Sequence, residues 1–341
     1  MALRLAINGY GRIGRCLLRA LHESAHGADI EIAAINEPAD LDSMAYLTRF
    51  DSTHGRFPGE VGVADGALVV DGREIPVSHA TRPEDVPWDD LGADITVDCS
   101  GRYAYRHELE RFVASGSPRV MLSHPGHGAD DLDRTVVYGI NHGTLTGDER
   151  LVSAASCTTN AVVPVLTLLD EAFGVEHVSL TTLHSAMNDQ PLIDGYHHAD
   201  LRRTRSAMQA MIPVSTGLAK GVERLMPALA GRVQAKAIRV PVLNVSAIDL
   251  TVTLGRDAGA DDINAHLAAA AGDGFKGLIA YTAEPHASID FNHKPHSAIV
   301  DGSQTRVAGG RLANLLVWFD NEWGFANRML DVAACWGRRF V

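Results

Sequence analysis

The 341-residue chain is poor in cysteine and in positive charge, and it contains no long apolar run. Its four cysteines, Cys16, Cys99, Cys157 and Cys335, are scattered, with no CxxC pair and none of the ligand spacings of zinc sites. That pattern excludes a disulfide framework and gives no grounds for a metal site. Sixteen histidines are present, but His197-His198 is the only adjacent pair. With 30 basic against 42 acidic residues the formal charge is −12, which speaks against nonspecific nucleic-acid binding. No apolar segment approaches the ~20 residues of a membrane span. A strand pattern begins at once with Leu3-Arg4-Leu5-Ala6-Ile7, without a signal-type segment before it. A reducing cytoplasm is the expected setting. Internal repeats and low-complexity linkers are absent as well.

What is present is an ordinary globular composition, 46% hydrophobic and 21% charged, at a length that suggests two domains. The strand Leu3–Ile7 runs into a glycine turn, a helical pattern over Arg15–His22, and a second strand at Ile30–Ile35, a βαβ unit. Further strand-like runs at Ala67–Val70, Ile95–Cys99 and Val120–Ser123, with a helix over Glu108–Ser115, indicate a Rossmann-type, doubly wound, mostly parallel sheet. Beyond Cys157 the strand candidates lengthen and alternate: His177–His184, Lys236–Val242, Ser246–Thr253 and Leu315–Phe319. This texture predicts an α+β domain built on a mostly antiparallel sheet. The expected division is 1–156 for the first domain and 157–323 for the second, with a helix over about 324–341 returning to the first. A long segment between His184 and Pro213 reads as a polar loop, and loops of that length are usually functional.

Ser156-Cys157-Thr158-Thr159-Asn160 places a thiol between hydroxyls at the head of the apolar run Ala161–Leu166, which predicts a helix. Backbone N–H groups and the macrodipole at a helix N-terminus favour a thiolate, so a lowered pKa and a nucleophile at neutral pH are expected. A buried structural cysteine is the commoner fate of a free thiol, and the polar neighbours argue against it. Gly9-Tyr10-Gly11-Arg12-Ile13-Gly14 fits G-x-G-x-x-G between a strand and a helix, where glycines admit a pyrophosphate to the helix N-terminus. Glu37, at the end of the second strand, suits ribose hydroxyls and repels a 2′-phosphate, which favours NAD over NADP. A thiolate and a dinucleotide together suggest aldehyde oxidation through a hemithioacetal. His184, displayed between an apolar strand and the loop, is the candidate base.

Asn8–Arg15, Asp51–Gly55, Ser156–Asn160, Ser215–Gly217, Arg239–Pro241 and Asp320–Gly324 together resemble the glyceraldehyde-3-phosphate dehydrogenase family over nearly the whole chain. The resemblance implies that Cys157 is the nucleophile and His184 the base that also polarises the thiol. Ser156, Thr158, Thr216, Gly217 and Arg239 become candidate substrate-binding groups, with Arg203 a further candidate. Arg12 and Ile13 would line the pyrophosphate turn, Asn321 would fix the nicotinamide carboxamide, and Arg82 and Ser123 would lie on the cofactor side. It also implies a homotetramer in which the loop Ala186–Ala210 reaches a neighbouring subunit.

Within the family, Ser123–Gly126, His184–Gln190, Asp200–Arg205 and Phe291–Gly302 resemble the branch that oxidises erythrose 4-phosphate. The glycolytic branch carries Thr-Ala-Thr three residues after its histidine, whereas this chain has Met187-Asn188-Asp189. One phosphate pocket is then retained and the other weakened, so that water resolves the thioester to 4-phosphoerythronate, a step associated with pyridoxal phosphate biosynthesis. The alternatives are a phosphorylating glyceraldehyde-3-phosphate dehydrogenase, a Cys-His hydrolase or acyltransferase, and a non-catalytic NAD-binding module.

Overall fold

The computed structural model describes residues 2–341. The chain divides into two compact units, one formed by residues up to Ser156 together with Ala326–Val341, the other by Cys157–Phe325.

In the first unit, nine strands lie in the order Arg134–Thr135, Leu151–Ser153, Val120–Leu122, Ile95–Asp98, Leu3–Asn8, Ile30–Asn36, Arg73–Ser78, Ala67–Val70, Val61–Ala64 among the described residues. All pairings are parallel as far as Arg73–Ser78, and the last two strands add antiparallel. The first strand in sequence is central, so the chain winds outward from it in both directions. Its carboxyl end is the crevice where such sheets bind ligands. There Asn36 Nδ2 donates to Asn8 Oδ1 (2.8 Å) and Asn8 Nδ2 to Asp98 Oδ1 (2.7 Å), a buried polar string across three strand ends. The helix Arg12–Glu23 buries Cys16, Leu17, Leu18, Ala20 and Leu21, the stripe its 3.6-residue period sets out. Trp88, Leu109, Phe112, Val120 and Leu151 pack with Ala6 and Ala34 in the core.

In the second unit, seven strands follow the order Ile212–Val214, Val233–Arg239, Val175–His184, Ser246–Leu254, Leu312–Phe319, Ala298–Ala308, Ile279–Thr282 among the described residues. Four junctions are antiparallel. The Val175–His184/Val233–Arg239 and Ile279–Thr282/Ala298–Ala308 junctions are parallel. The strand expected at Lys236–Val242 ends at Arg239, ahead of Pro241, and starts three residues earlier. The helix Cys157–Phe173 packs against this sheet, with Thr158–Leu166 wholly buried. The last helix, Trp323–Gly337, starts where Asp320 Oδ1 accepts the N–H groups of Glu322 (3.0 Å) and Trp323 (2.8 Å).

The segment after His184 differs from its polar reading. It contains one 3₁₀ turn, Leu201–Thr204, and leaves Leu192, Ile193, Tyr196, Leu201, Met208 and Met211 exposed. Among the described residues no helix is long and apolar enough to cross a membrane.

Candidate active site

Cys157 is the first residue of the helix Cys157–Phe173. The chain reaches it through Ala155, held at φ 60, a left-handed conformation that costs a non-glycine residue on the order of 1–3 kcal/mol. Ser153 secures that turn: its Oγ accepts from Ala155 N (2.9 Å) and donates to His124 O (2.8 Å). The Cys157 Sγ lies 3.7 Å from His184 Nε2 and 3.9 Å from Thr158 Oγ1. Ser156 is half-buried beside it, and Thr158 is buried. Burial pushes the Cys157 thiol up, against the opposing pull of the Thr158 hydrogen bonds and the Arg239 charge. The lowering expected from the sequence is thus corrected: desolvation of the sulfur outweighs these hydrogen bonds and the Arg239 charge.

His184 ends the strand Val175–His184 and is buried. Burial first, and the Arg239 charge second, push its pKa down to about 4, so the imidazole is neutral at pH 7. The parallel register sets His184 opposite Arg239 at the carboxyl ends of their strands. Arg239 Nη1 stands 2.6 Å from His184 Nδ1, and the Ser185 carbonyl oxygen stands 2.9 Å from the same nitrogen. Arg239 therefore touches the base itself, a contact that the anion-binding role alone does not anticipate.

Thr216 and Gly217 are exposed at the start of the helix Leu218–Leu225. Thr216 Oγ1 accepts from Leu218 N (3.2 Å), and a Cβ at Gly217 would meet no atom within 4 Å. This helix approaches the cysteine helix through Gly221, whose Cβ would stand 3.4 Å from Thr159 Oγ1. Asn321 is buried, and its Oδ1 accepts from Ser185 Oγ (3.0 Å) and Ser246 Oγ (2.8 Å). Ser246 Oγ also accepts from Ser185 N (3.1 Å). Nothing in the sequence singles out Ser185 or Ser246, because isolated serines at strand ends are common. Arg203 pairs with Asp189 (3.0 Å) and, at 3.8 Å, with Asp200. Asp189 thus comes to the loop paired with Arg203.

The dinucleotide motif lies in the first unit. Gly9 has φ 89, and a Cβ there would stand 2.7 Å from Ser100 N. At Gly14 a Cβ would stand 2.3 Å from Gly9 O, so this glycine allows helix and strand to close up. Gly11 is different: nothing lies within 4 Å of its Cβ position, which leaves room over the turn. Glu37 accepts from Tyr10 N (2.7 Å) and Ala39 N (3.1 Å), and a carboxylate has further lone-pair positions for hydroxyls. Arg12 is held by Asp51, with Nη2 3.2 Å from Oδ1. Burial pushes the Asp51 carboxyl up, but Arg12 and the N–H groups of His54 and Thr53 together hold it well below the usual range. Ile13 is half-buried in the same turn. Ser123 follows the strand Val120–Leu122 and donates its N–H to Asp98 O (3.0 Å). Arg82 is exposed and bidentate to Asp85 (2.8 and 2.7 Å).

Residues 3–106 match the family model described as the NAD-binding domain of glyceraldehyde 3-phosphate dehydrogenase, and residues 156–321 match the model of its C-terminal domain. The chain belongs to the glyceraldehyde-3-phosphate dehydrogenase family. It is therefore an NAD-dependent oxidoreductase with a Rossmann domain and a family catalytic domain carrying a mixed sheet. Its residues fit the cofactor: the open space over Gly11, the close packing at Gly14 and the partly engaged Glu37 carboxylate are what a pyrophosphate and a ribose require.

Proposed function

We propose that this family member oxidises D-erythrose 4-phosphate to 4-phosphoerythronate, as a D-erythrose-4-phosphate dehydrogenase, with water resolving the thioester. Cys157 Sγ adds to the aldehyde carbon, and the hemithioacetal hydroxyl proton passes to His184 Nε2, which must then carry a lone pair. Bound NAD supplies the two-electron acceptor for this oxidation. Arg239, the Thr158 and Thr216 hydroxyls and the Gly217 N–H are suitable donors for the substrate phosphate. Water then attacks the thioester carbonyl, the carbon–sulfur bond breaks, and Cys157 regains its proton. Asn321, its oxygen engaged by two serines, presents its amide N–H groups to a carboxamide.

The observation that carries the water-resolved reading is the Arg203–Asp189 pair. A second anion pocket needs donors, and here the Met187 side chain offers none while Arg203 Nη1 is held by Asp189 at 3.0 Å. The exposed apolar side chains between Leu192 and Met211 support a homotetramer, and a cytoplasmic, pyridoxal phosphate-supplying role follows from the same reading. The test compares initial rates of NADH formation on erythrose 4-phosphate and glyceraldehyde 3-phosphate, each with and without inorganic phosphate. Phosphate-independent turnover with erythrose 4-phosphate preferred is expected. Strict phosphate dependence with glyceraldehyde 3-phosphate preferred would overturn the proposal.

A further inference from the structure

The His184 Nδ1 atom has two neighbours that make opposite demands on it. The Ser185 carbonyl, at 2.9 Å, can only accept a hydrogen bond, so it calls for a proton on Nδ1. The Arg239 Nη1, at 2.6 Å, can only donate, because a guanidinium has no lone pair and does not deprotonate. A neutral imidazole cannot satisfy both. The shorter, charge-assisted contact is the stronger, so Nδ1 holds the lone pair and the single ring proton sits on Nε2, 3.7 Å from Cys157 Sγ. In that tautomer the imidazole presents a donor to the sulfur and has no lone pair with which to act as a base.

We infer that Arg239 is a positioning residue for the base: an oxyanion that draws its guanidinium away moves the ring proton of His184 from Nε2 to Nδ1. The proton leaves Nε2 for solvent and one from solvent is taken up at Nδ1, where it is donated to Ser185 O. The ring is neutral before and after, and Arg239 keeps its charge throughout. The lone pair is then at Nε2, facing the thiol. The ligand class is a phosphate oxyanion, either inorganic phosphate or the phosphate of a sugar phosphate. The arrangement makes the base available only when the anion is bound.

The other charged groups around the ring do not set this choice. Asp189 and Glu322 act on His184 through their charge, and the Phe319 ring lies edge-on at 6.3 Å. Among the described residues, Arg239 and Ser185 are the groups that contact Nδ1. Neutrality of the ring at pH 7, set by burial and by Arg239, is what makes the tautomer the relevant variable.

The inference rests on the proposed phosphate role of Arg239, but its test needs neither NAD nor sugar, so its outcome is independent of substrate preference. The full-length protein, labelled with ¹⁵N at histidine, is followed by long-range ¹H–¹⁵N correlation of the imidazoles at pH 7, with His184 assigned by its loss in His184→Asn. Without anion the proton is expected on Nε2, and at saturating inorganic phosphate on Nδ1. Potassium chloride at equal ionic strength should leave the Nε2–H pattern in place. Arg239→Met, which keeps bulk and removes the donor, should give the Nδ1–H pattern without phosphate. A proton already on Nδ1 in the anion-free protein, or a pattern that phosphate does not move, overturns the inference. The wild-type titration decides the matter even where Arg239→Met fails to fold.

Discussion

Gly11 and Gly14 stand three residues apart in one turn, yet an added methyl group should act on them in opposite ways. At Gly14 the new Cβ would sit 2.3 Å from the Gly9 carbonyl oxygen and 3.2 Å from Ile7 Cγ2. Backbone cannot step aside as a flexible side chain can, so Gly14→Ala should cost about 1–3 kcal/mol of stability, the usual range for overpacking. At Gly11, with φ −73 and nothing within 4 Å, the methyl group enters empty space, and the change should stay within about 0.5 kcal/mol. That space is where a pyrophosphate approaches the helix N-terminus, so Gly11→Ala should instead weaken NAD binding. A hundredfold loss corresponds to about 2.7 kcal/mol. Thermal unfolding with and without NAD separates the two. At NAD one hundred times the parent Kd, the parent gains about 2.7 kcal/mol and Gly11→Ala only about 0.4 kcal/mol. A Gly11→Ala protein that NAD stabilises like the parent, or a Gly14→Ala protein as stable as the parent, would refute the assignment of roles within the turn.

Three further outcomes are expected. His184 is neutral in the folded chain, with its pKa lowered from 6.5 to about 4, so the unfolded chain binds the extra proton first as pH falls. It therefore removes stability progressively between pH 6.5 and 4, on the order of 3 kcal/mol by pH 4. Urea unfolding of His184→Asn should show a correspondingly shallower decline across that window. Asp189→Ala should release Arg203 to meet an anion, so that inorganic phosphate accelerates turnover several-fold in steady-state assays where the parent shows no response. Ser246→Ala leaves the buried Ser185 N–H without its acceptor and Asn321 Oδ1 with one donor, so it should cost about 1–3 kcal/mol in denaturant unfolding and raise the KM for NAD.

Local features were readable from sequence alone. The glycine turn, the strand before it and the helix after it follow from steric and periodic rules within a dozen residues. Cys157 was legible as a helix-starting thiol because Ala161–Leu166 is apolar and Ser156, Thr158 and Asn160 are not. Features that depend on register were not legible. Arg239 meets His184 because two parallel strands, 55 residues apart in sequence at this point, end level with each other. No local pattern encodes that pairing. The same holds for Arg203 and Asp189, joined across a loop, and for the two serines that hold Asn321. The thiol pKa goes the other way from its sequence-based expectation because burial is a tertiary quantity, and here it exceeds the pull of the Thr158 hydrogen bonds and the Arg239 charge. The segment after His184 reads as polar from its arginines, and in the structure Arg202 and Arg205 are exposed alongside spaced apolar residues from Leu192 to Met211.

The claim at the centre of the account is that Cys157 carries the acyl group and passes it to water. It is tested by mixing the protein with NAD and erythrose 4-phosphate in phosphate-free buffer, quenching in acid at successive times, and mapping the adduct by peptide mass spectrometry. The account predicts a phosphoerythronyl thioester on the peptide containing Cys157 that forms early and decays without phosphate as 4-phosphoerythronate appears. An adduct that persists until inorganic phosphate is added, or NADH formation with no adduct on Cys157, would contradict it.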